Sequence, residues 1–229
     1  MLHCDRFALP SVASLLFWLS LFAPRAVAKE PDLVDIKSVD SSIIVELRYA
    51  GENNIARRRL YPSHMKALVR PSMAQQLAGA QRFLRRYDRG LKIWDAYRPA
   101  DAQAVLWDLA PDDHHVANPH RGVGSLHAWG VAVDATIVDS FGRDLSMPTD
   151  FDDFSPAAML RYTGKDRMVR FNLRLLQIAM AKNDFYGLRT EWWHFTTKQW
   201  RKYVPQRAAK SVATEMKQMN GGPEKTPDQ

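Results

Sequence analysis

The segment "SLHAWGVAVD" at residues 125–134 sets His127 and Asp134 seven positions apart around Gly130, and "EWWHF" at 191–195 sets Glu191 three positions ahead of His194. Two imidazoles and one carboxylate, His127, His194 and Asp134, form a ligand set suited to a catalytic zinc, which commonly takes three protein donors and keeps a position for water. Glu191 is then the candidate general base, a carboxylate beside the activated water that takes its proton and returns it to a leaving amine. Arg98, in "DAYRP" at 95–99, is the candidate cation facing a developing oxyanion. Trp192 and Trp193 offer dry walls of the kind that raise a carboxylate's pKa. Each signal is ordinary alone: lone histidines are more often structural, an arginine before proline is more often a turn residue, and a Trp pair is more often core. His114, His115 and His120 lie in the polar stretch "PDDHHVANPHRGVG" and read as solvated loop residues rather than ligands.

Backbone periodicity limits how these groups can meet. Positions 127 and 134 differ by an odd number, so in one straight strand they would face opposite ways. Gly130 between them allows the bend or bulge that turns His127 back. Glu191 and His194 have the same parity conflict, which calls for a turn or bulge there as well.

The elements that must carry these residues are mixed. "SSIIVELRYA" at 41–50 reads as an early strand. Pro71 opens a helix with a stripe of Met73, Leu77, Ala80, Leu84 and Tyr87, which Gly90 ends. "LKIWDAY" reads as a strand stopping before Pro99, "ADAQAVLWDLA" as a short helix, and "HAWGVAVDATIVD" as a central strand followed by a turn at Asp139–Gly142. Thr163 with Asp166 predicts a capping box for a helix burying Met168, Phe171, Leu175 and Ile178 or Ala179. "YGLRTEWWHF" follows as a strand or bent strand. No repeat or linker divides the chain, which points to one α+β domain.

Composition bounds the rest. With 229 residues, 46% apolar and 25% charged, seven Trp and ten Phe, the chain can build a core of its own. Residues 1–28 read as a signal peptide: a short polar start, the apolar stretch "ALPSVASLLFWLSLFA", and "AVA" at 26–28 as the cleavage site. The apolar stretch falls short of the roughly 20 residues that span a bilayer, so no stable membrane insertion is expected after cleavage. The expected domain runs over 29–205, and 206–229 is a polar C-terminal tail. Cys4, the one cysteine, lies in the leader, so the processed chain has no thiolate ligand or nucleophile. Of the net charge of +7, Arg6 and Arg25 against Asp5 contribute +1, leaving +6 on the processed form. The cations are scattered among helical apolar positions, which argues against nucleic acid and is compatible with an anionic wall polymer. Export to the periplasm or cell-wall compartment is the expected location.

The combination of motifs resembles the D-alanyl-D-alanine dipeptidases of the zinc D-Ala-D-Ala peptidase superfamily, from about residue 32 to 200. The family pattern Ser-x-His-x-x-Gly-x-x-x-Asp is met by Ser125, His127, Gly130 and Asp134, and Glu-x-x-His by Glu191 and His194. "ELRYA" at 46–50, "DAYRP" at 95–99, "MPTDFD" at 147–152 and "NLRLL" at 172–176 follow in family order. The resemblance implies one zinc held by His127, Asp134 and His194, with Glu191 as base and Arg98 steadying the tetrahedral intermediate. It further implies that Asp152 helps to hold the free amino end of a dipeptide. Ser125 and Trp192, within the two motifs, are candidate substrate contacts beside it. The implied fold is a small central antiparallel sheet flanked by helices, and the implied substrate is D-Ala-D-Ala or a related short D,D-peptide, with peptidoglycan the alternative. "NNIARRR" at 53–59, "HAWG" at 127–130 and Pro148 depart from the family pattern without removing a ligand.

Overall fold

The longest strand, Ala132–Asp139, lies at the centre of a five-stranded sheet, which is where a run of small and β-branched residues buried on both faces belongs. The structure, a computed structural model, describes residues 32–205. The expected leader and the expected polar tail lie outside the described residues. In chain order the elements are β1 (Val34–Asp35), α1 (Ile36–Val39), β2 (Ile44–Val45), β3 (Leu68–Val69), α2 (Pro71–Arg85), β4 (Arg89–Asp95), α3 (Ala100–Leu109), β5 (Ala132–Asp139), α4 (Arg167–Ala181), β6 (Phe185–Leu188) and β7 (Glu191–Thr197). The main sheet runs β2-β4-β5-β7-β6, and β1 with β3 forms a separate antiparallel pair.

The sheet is antiparallel except at its β2 edge, where β2 runs parallel to β4. Chain reversal explains the exception: α2 returns the chain to the end at which β2 began, as a parallel pair requires. The early strand is also shorter than "SSIIVELRYA" predicts. After Val45 the chain leaves the sheet and turns through a 3-10 segment at Arg48–Ala50.

α2 begins at Pro71, as expected, and Met73, Leu77, Ala80 and Leu84 have no exposed surface. It ends at Arg85, however, leaving Tyr87 half exposed, and Gly90 lies inside β4, not at the helix end. A Cβ at Gly90 would stand 3.2 Å from Val138 Cγ2, so close strand packing is what uses the glycine there.

α4 departs further from expectation. Asp166 is itself the N-cap, its Oδ1 accepting from the backbone N–H groups of Met168 and Val169 at 2.7 and 3.2 Å, and Thr163 plays no part in that cap. The helix buries Val169, Leu173, Leu176 and Met180, a complete four-three-four stripe, together with Leu175 and Ala179. Met168 and Phe171 are consequently 58% and 50% exposed. Two overlapping stripes existed in the sequence, and the one with more branched aliphatic volume faces the core.

Candidate active site

Three strands bring acidic and imidazole groups into one row. Asp134 on β5 is the cross-strand partner of His194 on β7. On the other side, β4 bulges: Ile93 pairs with Ala135 but Asp95 pairs with Asp134, so Trp94 is the extra residue and Asp95 stands beside Asp134. A bulge in β7 solves the parity conflict of Glu191 and His194. Leu188 of β6 pairs with Glu191, while Gly187 pairs with Phe195, and the three intervening residues of β7 have no partner on β6.

His127 arrives from outside the sheet. It sits in a 3-10 turn, Leu126–Trp129, capped by Ser125, whose Oγ accepts the His127 N–H at 3.3 Å. Gly130 closes the turn at φ 64°, a left-handed conformation, and a Cβ there would collide with Leu33 Cδ2. The expected bend at Gly130 is therefore the device that directs His127 back over Asp134.

The three candidate ligands converge. His127 Nδ1 donates to the Ala96 carbonyl at 2.8 Å, and because a carbonyl only accepts, the free lone pair is on Nε2. His127 Nε2 to His194 Nδ1 is 3.2 Å, His194 Nδ1 to Asp134 Oδ1 is 3.1 Å, and His127 Nε2 to Asp134 Oδ1 is 3.4 Å. A tetrahedral cation with donors at about 2.0–2.1 Å separates those donors by about 3.3 Å. The triangle fits that edge on all three sides, so these residues can hold a divalent metal, and they are the one such group among the described residues. Burial holds the His194 imidazole below its ordinary pKa, which keeps it neutral as a ligand must be. Burial pushes Asp134 up, but the adjacent His127 and His194 outweigh it and hold the carboxyl well below the usual range.

Glu191 lies at the edge of this triangle, its Oε2 4.0 Å from His194 Nδ1. Its Oε1 is buried without a hydrogen-bond partner. Burial, together with the negative charges of Asp134 and Asp152, raises its pKa well above the ordinary glutamate value, against the opposing Arg98 and a hydrogen bond from Trp193.

Arg98 is buried beside the triangle, Nη2 being 3.7 Å from Asp134 Oδ2. Its fork is fixed: Nε and Nη2 donate to Asp95 Oδ2 at 3.0 and 2.8 Å, Nη1 donates to Gln103 Oε1 at 2.9 Å, and the guanidinium lies 5.1 Å over the Tyr49 ring. Tyr49 in turn donates to Asp152 Oδ1 at 3.0 Å, and the Ile55 N–H donates to Oδ2 at 2.9 Å. Burial raises the Asp152 pKa to about 6 despite those donors.

Two expected contacts take other places. Trp192 has no exposed surface, packs edge-on against Trp94 and Trp193, and donates its indole N–H to Thr149, so it is packed in the core. Ser125 holds the His127 turn. The loop histidines stay apart, with His115 engaged by Asp112 at 3.0 Å. Sequence reasoning missed Asp95 and Gln103, which set the orientation of Arg98. The signal for Asp95 was its place at the head of "DAYRP", three residues before the arginine.

The pattern describing the D-ala-D-ala dipeptidase family of M15 peptidases matches residues 29–213. The chain belongs to this family. Among curated relatives of this metallopeptidase, the D-alanyl-D-alanine dipeptidase of Escherichia coli (strain K12) is 33% identical over 180 residues, covering 75% of this chain and 88% of the relative. The enzymes of the same description from Enterococcus faecalis and Streptomyces coelicolor are 28% and 29% identical over 46% and 48% of this chain, and 61% and 63% of their own. A solved structure of an LD-carboxypeptidase covers 82% of this chain and 75% of its own at 19% identity, with a TM-score of 0.42.

Proposed function

We propose that the chain is an exported zinc dipeptidase that hydrolyses the peptide bond of D-alanyl-D-alanine. The observation that carries this reading is the buried carboxylate of Glu191, whose Oε1 has no hydrogen-bond partner, beside the His127, Asp134 and His194 triangle. Two imidazoles and a carboxylate without sulfur suit zinc, which when bound supplies Lewis acidity that acidifies a water and polarises the scissile carbonyl.

The chain's own groups do the remainder. Glu191 accepts the proton of the attacking water and passes it to the departing amine, a cycle favoured by a carboxyl pKa above the ordinary glutamate value, the direction in which burial moves it. Arg98, locked by Asp95 and Gln103, presents a fixed positive charge to the oxygen on which negative charge grows. Asp152, joined to the Arg98 side of the site through Tyr49, offers a carboxylate to the substrate's free ammonium. That last pairing favours a free dipeptide over the end of a longer chain. The leader read at residues 1–28 supports an exported enzyme acting on wall-derived D,D-peptides.

Product analysis distinguishes the dipeptidase from a D,D-carboxypeptidase or peptidoglycan peptidase. The purified enzyme with zinc is expected to release D-alanine from D-Ala-D-Ala and to leave an N-acylated D-Ala-D-Ala and a stem pentapeptide largely intact. Equal or faster turnover of the blocked substrates would overturn the dipeptidase reading in favour of the carboxypeptidase.

A further inference from the structure

The phase that α4 adopts leaves an outward face that hydrolysis does not use. The helix contains no acidic residue, and Arg167, Arg170 and Arg174 are all exposed. At 100° per residue these three arginines fall on one side of the helix, with Phe171 and then Met168 along its flank. None of the three arginines is ion-paired with a carboxylate among the described residues; Arg170 donates to the Gly164 carbonyl, and the one acidic neighbour at the helix start, Asp166, is occupied capping it.

An isolated exposed apolar side chain is ordinary. Here a phenylalanine and a methionine three residues apart stand together on a helix surface, 50% and 58% exposed, framed by arginines that form no ion pair among the described residues. A surface with phosphates outermost and an apolar layer beneath satisfies both halves of that pattern: the arginines meet the headgroups and the two apolar side chains enter the acyl boundary. A soluble polyanion satisfies only the charges. No helix among the described residues is long and apolar enough to cross a membrane. We propose that the exposed face of α4 docks this enzyme peripherally on an anionic lipid bilayer.

The test is co-sedimentation of the full chain with vesicles of phosphatidylcholine alone or mixed with phosphatidylglycerol, at low and high salt. The reading is the difference between the two vesicle types. Expected are stronger binding to the anionic vesicles, suppression of that excess by salt, a loss of about fivefold per charge removed in R170Q/R174Q, and a further loss in M168S/F171S. D-Ala-D-Ala hydrolysis in solution should be unchanged in both variants. Equal binding to the two vesicle types, or wild-type excess in R170Q/R174Q, would overturn the proposal. Wild-type binding by M168S/F171S together with full competition by soluble polyphosphate would also overturn it, and would assign the face to a polyanion.

Discussion

Asp134 and His194 are direct cross-strand partners on β5 and β7, and their Oδ1 and Nδ1 atoms stand 3.1 Å apart. Two of the three candidate ligands are therefore set by the pairing of adjacent strands, the most rigid spacing a sheet offers. The third, His127, depends on a turn and on one glycine, and it is the ligand most sensitive to backbone change.

His127→Ala, Asp134→Ala and His194→Ala should each lose tightly held zinc, because removing one donor leaves only two to hold the ion. Metal analysis of the purified variants reads the result. Stoichiometric zinc in all three would rule out the triangle as the site.

Glu191→Gln should lower kcat/KM on D-Ala-D-Ala by about 10²–10⁴-fold, the usual worth of a positioned acid–base group. Zinc content should not change, since the three donors are other side chains. Loss of zinc along with activity would make Glu191 a ligand, and retained activity would remove it from the mechanism.

Asp152 supplies a pH dependence. Its pKa of about 6 means that the carboxylate available to an ammonium disappears as pH falls through 6, so kcat/KM for the free dipeptide should show an acid limb near that value, absent in Asp152→Asn. Stability runs the other way. The folded pKa lies above the unfolded one, so the group's contribution is fully present below the unfolded value and is lost as pH rises through about 6. Thermal melts should accordingly show Asp152→Asn gaining on the wild type at pH 8 relative to pH 4; the same difference at both would contradict the shift.

Gly130→Ala forces a side chain into a left-handed backbone, at a cost of about 1–2 kcal/mol. Its Cβ would also collide with Leu33 Cδ2, a side chain that must give way, and it would crowd the Arg70 backbone nitrogen at 3.4 Å. Denaturant unfolding and zinc titration should both weaken. Wild-type values in both would show that the turn tolerates the change.

The exported form should begin near Lys29, where "AVA" ends the apolar leader. Intact-mass measurement of secreted protein decides it, and retention of residues 1–28 would refute cleavage.

Local chemistry was open to inspection in the linear chain. Pro71 marked the start of α2 because its ring suits a first helical turn, and the run after Gly130 marked β5 because small and β-branched side chains pack on both faces of a central strand. His127, Asp134, Glu191 and His194 were visible as a constellation, and the parity of their spacings already pointed to a bend or bulge at Gly130 and a turn or bulge near Glu191. Residue type and short spacing are enough for such statements.

Tertiary packing alone decided the rest. The phase of α4 turned on which of two apolar stripes the core accepts, and Met168 and Phe171 went outward because Val169, Leu173, Leu176 and Met180 fill that space. Trp192 became core for a similar reason, enclosed by Trp94 and Trp193. Asp95 took its place beside Asp134 only through the bulge at Trp94, and Arg98, which Asp95 grips from three residues away, reaches Asp134 only because β4 and β5 are neighbours. Sequence states which groups can ionise, coordinate or cap; which of them meet depends on strand register and the volume of the core, and those belong to the folded chain as a whole.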